Sequence, residues 1–301
     1  LNGQAYQYAR KAGMKSSLSV HGIPEFDDAD YAMWAELLER RTGITVPRER
    51  KSFLQTKIWS RMSELGLSQF ADYWDLVTRQ GIDSRLEWTQ LVDRLTVHET
   101  SFFRHKPSFE LVRETLNKTF AQAPDILHYR IWSVSCATGE EAWSLAMLAD
   151  NCAAAYPEKK LYYGVIGTDV SRPAIALAQQ GIYDKRQLES VPAGLSHYVH
   201  PAGDNLFSIS DCLRKRVAFG YFNLLDLEAA ASVRYDLIYC HNVLIYFSRE
   251  TRLKILDNLV RYLKKDGILI LGPTDISAWQ HPRMERLPAR RTLSYQLKND
   301  V

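Results

Sequence analysis

The sequence predicts an α/β protein: a doubly wound, mostly parallel sheet, preceded by a segment made of helices alone and interrupted by a small β insertion. Three observations predict it. Strand-like and helix-like segments alternate from residue 130 to residue 272, the pattern that places helices on both faces of a parallel sheet. Residues from about 28 to 95 carry only the three-and-four spacing of amphipathic helices. Residues 192–216 break the alternation with turn-rich sequence and short candidate strands. The expected division is a loosely ordered tail over 1–25, a helical domain over 26–96 and an α/β domain over 97–301, with the β insertion near 192–216.

The helical part comes first. Asp28 is placed to cap a helix through Tyr31, Trp34, Leu37 and Leu38, which Gly43 closes. Pro47 suits the first turn of a second helix carrying Phe53, Leu54 and Ile58, with Gly66 behind it. Ser68 is placed to cap a third helix, QFADYWDLVTR, ended near Gly81, and DSRLEWTQLVDRL makes a fourth. Beyond the stretch HETSFFRH (98–105), PSFELVRETLNKTF reads as a fifth. The α/β part then offers five strands: RIWSVS (130–135), LYYGVIGTD (161–169), RVAFGYF (216–222), YDLIYC (235–240) and GILILG (267–272). Between them lie the helices EAWSLAMLA, SRPAIALAQQ (closed by Gly181) and RETRLKILDNLVRYL.

With 301 residues, 46% hydrophobic and 24% charged, the chain has the composition of a globular protein. A net charge of +3 is too small to point to DNA as a partner. Cys136, Cys152, Cys212 and Cys240 form no CxxC pair and read as reduced thiols of a cytoplasmic protein. No apolar run approaches the ~18 residues that a membrane span needs, and the first residues lack the apolar centre of a secretory signal. HETSF begins like the zinc motif HExxH, but Phe102 stands at the fifth position and no third ligand accompanies His98 and His105, so no metal is expected.

In a doubly wound sheet a ligand sits beyond the carboxyl ends of the strands. Those ends carry CATGEE (136–141), Thr168-Asp169, NLLD (223–226) and His241-Asn242 followed by Tyr246. Gly139 allows a tight turn and close backbone approach. Asp169 is placed to accept from ribose hydroxyls, although a lone acid at a strand end is more often a helix cap. Asn223 and Asn242 can each donate and accept, as an adenine edge or an amino-acid group requires. The first turn lacks the second and third glycines that a pyrophosphate wants, and Glu140 and Glu141 would repel phosphate while attracting a cation. A cofactor with ribose, adenine, an ammonium group and no phosphate fits: S-adenosylmethionine.

HETSFFR, WSVSCATGEEAWS, GTDV, FNLLD and YDLIYCHNVLIYF together resemble the CheR-type chemoreceptor glutamate methyltransferases, in the family's order over roughly residues 28 to 295. The resemblance implies an all-helical N-terminal domain, a Rossmann-like S-adenosylmethionine-dependent methyltransferase domain and a small β-subdomain inserted in it. It implies cofactor contacts from Thr100 and Arg104, from Glu141 with Glu140 as a lesser choice, from Asp169, from Asn223 and Leu224, and from Asn242. His98 and His241 stand where the family commonly has Asn and Arg, and are carried over as cofactor contacts. Tyr246 matches a family tyrosine near the methyl group and, with Arg104, is assigned to catalysis.

The implied acceptor is a glutamate on the cytoplasmic helical bundle of a chemoreceptor, and the enzyme is expected to be a monomer. Arg50, Lys57 and Arg61 share one face of the second helix and could steer an acidic helix; a solvated helix face is the plainer reading. The run YVHPAGDNLFSIS is shorter than the glycine-containing loop with which some members grip a receptor pentapeptide, so no such tether is expected. Two alternatives stay open: a methyltransferase acting on RNA or a small molecule, and a binding module that keeps the cofactor site without catalysis.

Overall fold

The computed structural model describes residues 26–229, 233–288 and 291–298; the tail expected over 1–25 lies outside them. The chain divides into two compact units, Leu1–Val97 and His98–Val301.

The first unit contains α1 (Asp28–Thr42), a 3-10 turn (Arg48–Arg50), α2 (Lys51–Glu64), α3 (Phe70–Thr78) and α4 (Ile82–Leu95). The cap of α1 is Asp27, not Asp28. Its carboxylate accepts from the Asp30 backbone N–H at 2.8 Å, and the Asp30 carboxylate accepts from that of Asp27 at 3.3 Å, a reciprocal cap. Asp28, one residue inside, instead pairs with Lys51 at 2.7 Å and with Arg48. Gly43 closes α1 in the left-handed conformation, φ 77°. Ser68 caps nothing: α3 starts at Phe70 from Gln69, so Ser68 lies one residue before the capping position. The apolar stripes of the four helices meet in one core, where Trp34 stacks on Tyr73 at 5.6 Å and meets Trp74 edge-on at 5.0 Å.

Among the described residues of that unit, one carboxylate is buried. Glu87 is 6% exposed. It accepts from Arg61 through both oxygens, at 2.9 and 2.7 Å, and from the Tyr73 hydroxyl at 2.6 Å. Burial and the Glu87 charge hold the Tyr73 hydroxyl far above its ordinary range, so it remains a donor. The Arg61 guanidinium also reaches Glu64 at 3.0 Å. This corrects the expected stripe. Arg61 does lie on the face shared with Arg50 and Lys57, but its charge is spent on Glu87 and Glu64. Arg50 is exposed, and the Lys57 ammonium sits over the Phe53 ring at 5.6 Å.

The second unit runs α5 (Lys106–Ala121), β1 (Ile126–Val134), α6 (Glu140–Ala153), β2 (Lys160–Asp169), α7 (Arg172–Gln180), β3 (Ile182–Asp184), β4 (Val199–Pro201), β5 (Leu206–Ile209), α8 (Asp211–Arg214), β6 (Val217–Tyr221), β7 (Tyr235–Cys240), α9 (Arg249–Arg261), β8 (Leu263–Leu271), β9 (Met284–Arg286) and β10 (Leu293–Leu297). The main sheet has the order β6-β2-β1-β7-β8-β10-β9. The five strands read from the sequence are its parallel members, and β10 pairs antiparallel with both β8 and β9. β7 and the second half of β8 are buried on both faces and read as continuous apolar runs, whereas β2 alternates buried and half-buried positions and the edge strand β6 has no buried residue. The strand order reverses at β1 and β7, where Val134 pairs beside Cys240. That places the turn after β1 next to the loop after β7.

The insertion is wider than 192–216. Its three-stranded sheet, β3-β5-β4, begins at Ile182, directly after the glycine that closes α7, and ends at Ile209. A three-residue strand such as β3 carries no readable alternation, which is why the sequence hid it. Two tyrosines tie this sheet down: Tyr183 donates to the Thr138 carbonyl at 2.7 Å and Tyr198 to Asp150 at 2.7 Å.

Removing Arg61 leaves Glu87 buried without its counter-charge. Arg61→Ala is therefore expected to cost the helical unit about 3 kcal/mol, read by urea denaturation of the whole chain, while Arg50→Ala shifts the same transition by under about 0.5 kcal/mol.

Candidate functional site

The turn after β1 is unusual in its backbone. Ser135 and Ala137, neither of them glycine, have φ of 54° and 48°, a conformation that costs on the order of 1 kcal/mol and is held only where surroundings enforce it. The Ala137 N–H is held by Asp169 at 2.9 Å. Gly139 follows at φ 97°; a Cβ there would stand 2.7 Å from that of Ala178. The glycine is thus demanded by the close approach of α7, and the expected reason, room for a ligand, is not needed to explain it.

Asp169 joins two strand ends. Besides Ala137 it accepts from the Ser171 N–H at 2.8 Å, so the helix-cap reading is satisfied as well. Burial raises its pKa, while the backbone donors and nearby His98 oppose that rise. A carboxylate has roughly four acceptor positions, so these bonds leave capacity for ribose hydroxyls.

Glu140 and Glu141 occupy the first turn of α6, where the helix dipole favours acids. Both are buried. Thr138 donates to Glu140 at 2.7 Å. Burial pushes the Glu141 carboxyl up to about 8; Arg104 opposes this, and Asp275 and Glu140 reinforce it.

The 98–105 stretch is anchored by its two phenylalanines, which belong to the α/β unit's core. Phe102 meets Tyr183 edge-on at 5.1 Å. Phe103, at φ 52°, donates its N–H to the Ser144 hydroxyl at 3.2 Å. The chain between these anchors and the start of the stretch holds Thr100, whose hydroxyl oxygen is buried without a hydrogen-bond partner. Arg104 donates to the Glu99 carbonyl at 2.5 Å and pairs with its carboxylate at 3.3 Å. A cavity of about 720 Å³ opens beside Arg104, with Ser101, Lys106, Arg113, Asn151 and Glu189 among its walls.

The loop after β7 is organised by a residue that the sequence reading missed. Asp275 is fully buried and accepts from the backbone N–H groups of Asn242, Leu244 and Gly272 at 2.8, 2.9 and 2.9 Å. Burial nevertheless pushes its carboxyl up to about 6. It holds Asn242 at φ 56° and the 3-10 turn Leu244–Tyr246 in place. Gly272 has no room for a Cβ, which would lie 2.4 Å from the Asp275 carboxylate. The signal was available: Asp275 follows the fifth strand, whose end was not read alongside the other four. His241 is 4% exposed, its ring stacked on Tyr239 at 4.3 Å. Burial, with His105 and Arg104 nearby, lowers it to about 3, so it is neutral. Asn223 folds into a local turn, its side-chain oxygen accepting from the Leu225 N–H at 3.1 Å; Leu224 is buried beside it.

Arg104, Glu141, His241 and Asp275 therefore share one electrostatic neighbourhood, and Asp169, His98 and the first turn share another. The donor set suits S-adenosylmethionine: buried acids for its cationic groups, a strand-end acid for ribose, and buried polar atoms, Thr100 Oγ1 and His241 Nδ1, that lack protein partners. Among the described residues, no group of three or more His, Cys, Asp or Glu could hold a metal ion.

Both units match known proteins. Residues 98–291 match the family model described as CheR methyltransferase, SAM binding domain, and residues 29–96 match CheR methyltransferase, all-alpha domain. The chain is 30% identical to the chemotaxis protein methyltransferase of Escherichia coli, over 82% of this chain and 84% of that one. It is 28% identical to chemotaxis protein methyltransferase 2 of Pseudomonas aeruginosa, over 85% and 90%. It is 27% identical to the chemotaxis protein methyltransferase of Borreliella burgdorferi, over 77% and 83%.

The buried acids make stability depend on pH in an unusual direction. The Glu141 carboxyl titrates near 8 when folded against 4.5 unperturbed. Between those values the folded state binds the extra proton, so stability falls as pH rises. Thermal unfolding of the ligand-free protein at pH 5 and pH 8 should show that loss, and Glu141→Gln should reduce it.

Proposed function

We propose that this chain, a member of the CheR methyltransferase family, transfers a methyl group from S-adenosylmethionine to glutamate side chains of a chemoreceptor. The family carries the methyltransferase activity and the cofactor. The observation that supports the site assignment is a buried acid, Glu141, in the first turn of α6 at the carboxyl edge of the sheet, within the electrostatic reach of the Arg104 guanidinium. An amino-acid end bearing one ammonium and one carboxylate matches that pair.

In this reading Glu141 holds the ammonium, with Glu140 behind it, and Asp169 takes the ribose hydroxyls. Asn223 and Leu224 flank the adenine. Thr100, His98, His241 and Asn242 supply the remaining polar contacts, and Gly139 keeps the turn tight. The bound cofactor supplies a methyl group activated by a sulfonium leaving group. The acceptor carboxylate, with an unperturbed pKa of about 4.3, is already ionised at neutral pH, so no general base is required. Arg104 and Tyr246 align it, and the reaction asks for an oxygen-to-methyl approach of about 3–3.5 Å with water excluded. Arg104 must hold the anion without over-stabilising it, because displacement consumes its charge.

The acceptor helix is acidic, and Lys57 of α2 with Arg50 of the 3-10 turn before it are the cations available to steer it. Arg61 serves stability instead. The β4–β5 hairpin turns through residues 202–205 with Gly203 at φ 112°. That single glycine is used by the turn, which supports an enzyme without pentapeptide tethering. Among the described residues no helix is long and apolar enough to cross a membrane. A monomer working in the cytoplasm completes the proposal.

Radiolabelled methyl transfer to a panel of receptor fragments tests it: wild-type protein should label at least one fragment on glutamate. Arg104→Ala should lower kcat/KM by about 100-fold, the worth of a charge-assisted contact; near-wild-type transfer would sink its role. Lys57→Glu should raise KM for the fragment several-fold and leave the affinity for S-adenosylhomocysteine unchanged, as measured by calorimetry. A receptor C-terminal pentapeptide should give no calorimetric binding.

A further inference from the structure

The inserted sheet reaches the turn after β1 through the side chain of Tyr183. This middle residue of β3 pairs beside Phe207 of β5 and is buried with it. Its hydroxyl donates to the Thr138 carbonyl at 2.7 Å. Its ring meets Phe102 edge-on at 5.1 Å, and Phe207 lies 5.7 Å from Phe102 and 5.8 Å from Tyr183. One residue of the insertion is therefore bonded to the turn 136–139 and packed against the stretch that carries Thr100 and Arg104.

The position of Tyr183 is fixed from its own side. The insertion enters and leaves the α/β body where the Ile209 N–H donates to the Gly181 carbonyl at 3.0 Å. Arg214 closes that stem, donating to the carbonyls of Gln180, Gly181 and Ile209 at 2.7, 3.1 and 2.9 Å. Tyr183 follows Gly181 by two residues, so its hydroxyl has little freedom to move. Burial, with the Glu140 charge, holds that hydroxyl far above its ordinary range, and it remains a donor.

The turn needs such a restraint. Ser135 and Ala137 hold a left-handed backbone without being glycine, a conformation that persists only where the surroundings over-determine it. Asp169 restrains the turn through the Ala137 N–H. Tyr183 restrains it through the carbonyl of the next residue, from a different part of the chain. The Thr138 hydroxyl in turn donates to Glu140 at 2.7 Å, so the orientation of Thr138 bears on the first acid of α6. The turn is also closely packed on this side: a Cβ on Gly139 would stand 3.1 Å from the Tyr183 hydroxyl oxygen.

We propose that Tyr183 is a positioning residue for the turn 136–141, and that the inserted sheet thereby completes the cofactor site. Tyr183 acts through Thr138 and does not itself touch the ligand. That this turn binds S-adenosylmethionine rests on the function proposed above; that Tyr183 holds its geometry does not.

Two conservative variants of the full-length protein test this. Tyr183→Phe keeps the three-ring cluster and removes only the O–H. Tyr198→Phe removes the hydroxyl with which the insertion binds Asp150, near the other end of α6. In ligand-free protein the Ala137 and Gly139 amides are bonded to Asp169 and to the Cys136 carbonyl. Their hydrogen exchange should be about 5-fold faster in Tyr183→Phe, the worth of one hydrogen bond, and unchanged in Tyr198→Phe. Calorimetry should show binding of S-adenosylhomocysteine about 5-fold weaker in Tyr183→Phe, again with no change in Tyr198→Phe. A hydroxyl that merely anchors the insertion would leave both variants alike in exchange and in affinity, and that result overturns the proposal. Faster exchange without weaker binding overturns its second half, the completion of the cofactor site. Glu141→Gln, titrated alongside, checks the premise separately. If it binds S-adenosylhomocysteine as tightly as the wild-type protein, the cofactor reading of the turn falls, and the exchange rates still decide whether Tyr183 positions it.

Discussion

Backbone N–H groups released at the ends of parallel strands need partners, and in this protein buried carboxylates supply them. Asp169 binds the N–H groups of Ala137 and Ser171. Asp275 binds those of Asn242, Leu244 and Gly272. Each acid ties loops from different strands into one rigid edge. An unpaired buried N–H or an uncompensated buried acid would each be costly, so the two problems are solved together. The strained residues Ala137 and Asn242 are both donors to these acids, which is how the left-handed backbone is held.

The same edge concentrates charge where a small zwitterion can use it. Glu141 is kept partly neutral by burial and by its acidic neighbours, yet it lies within the field of Arg104. An incoming ammonium would favour its ionised form. Under the proposed function Glu141 is an acid that would become a counter-ion when the cofactor's ammonium arrives, at some expense of stability in the ligand-free state. Proteins commonly sacrifice stability in this way at sites that bind or react.

The helical unit shows the opposite use of charge. Arg61, Glu87 and Tyr73 form a closed, nearly dry network with no ligand capacity left over. On a helical wheel Arg61 is indistinguishable from Arg50 and Lys57. Its role is decided by α4, which brings Glu87 to it across 26 residues of sequence. Sequence spacing can show that three cations share a face, but not which of them another helix has already neutralised.

Apolar periodicity determined the helices, the five parallel strands and hence the strand-end rim, because burial on both faces of a sheet leaves a pattern that survives without coordinates. The strand-end reading likewise placed Glu141, Asp169 and Asn242 among the candidate residues, and the family resemblance added Thr100 and Arg104, before any geometry was known. The short strands β3, β9 and β10, the start of the insertion at Ile182, the caps at Asp27 and Gln69, and the role of Asp275 came only from the tertiary structure. Three-residue strands are stabilised by partners far along the chain and carry too few residues to show a period. Asp275 matters through backbone groups up to 33 positions away, and a hydrogen bond formed across such distances leaves no trace in local spacing.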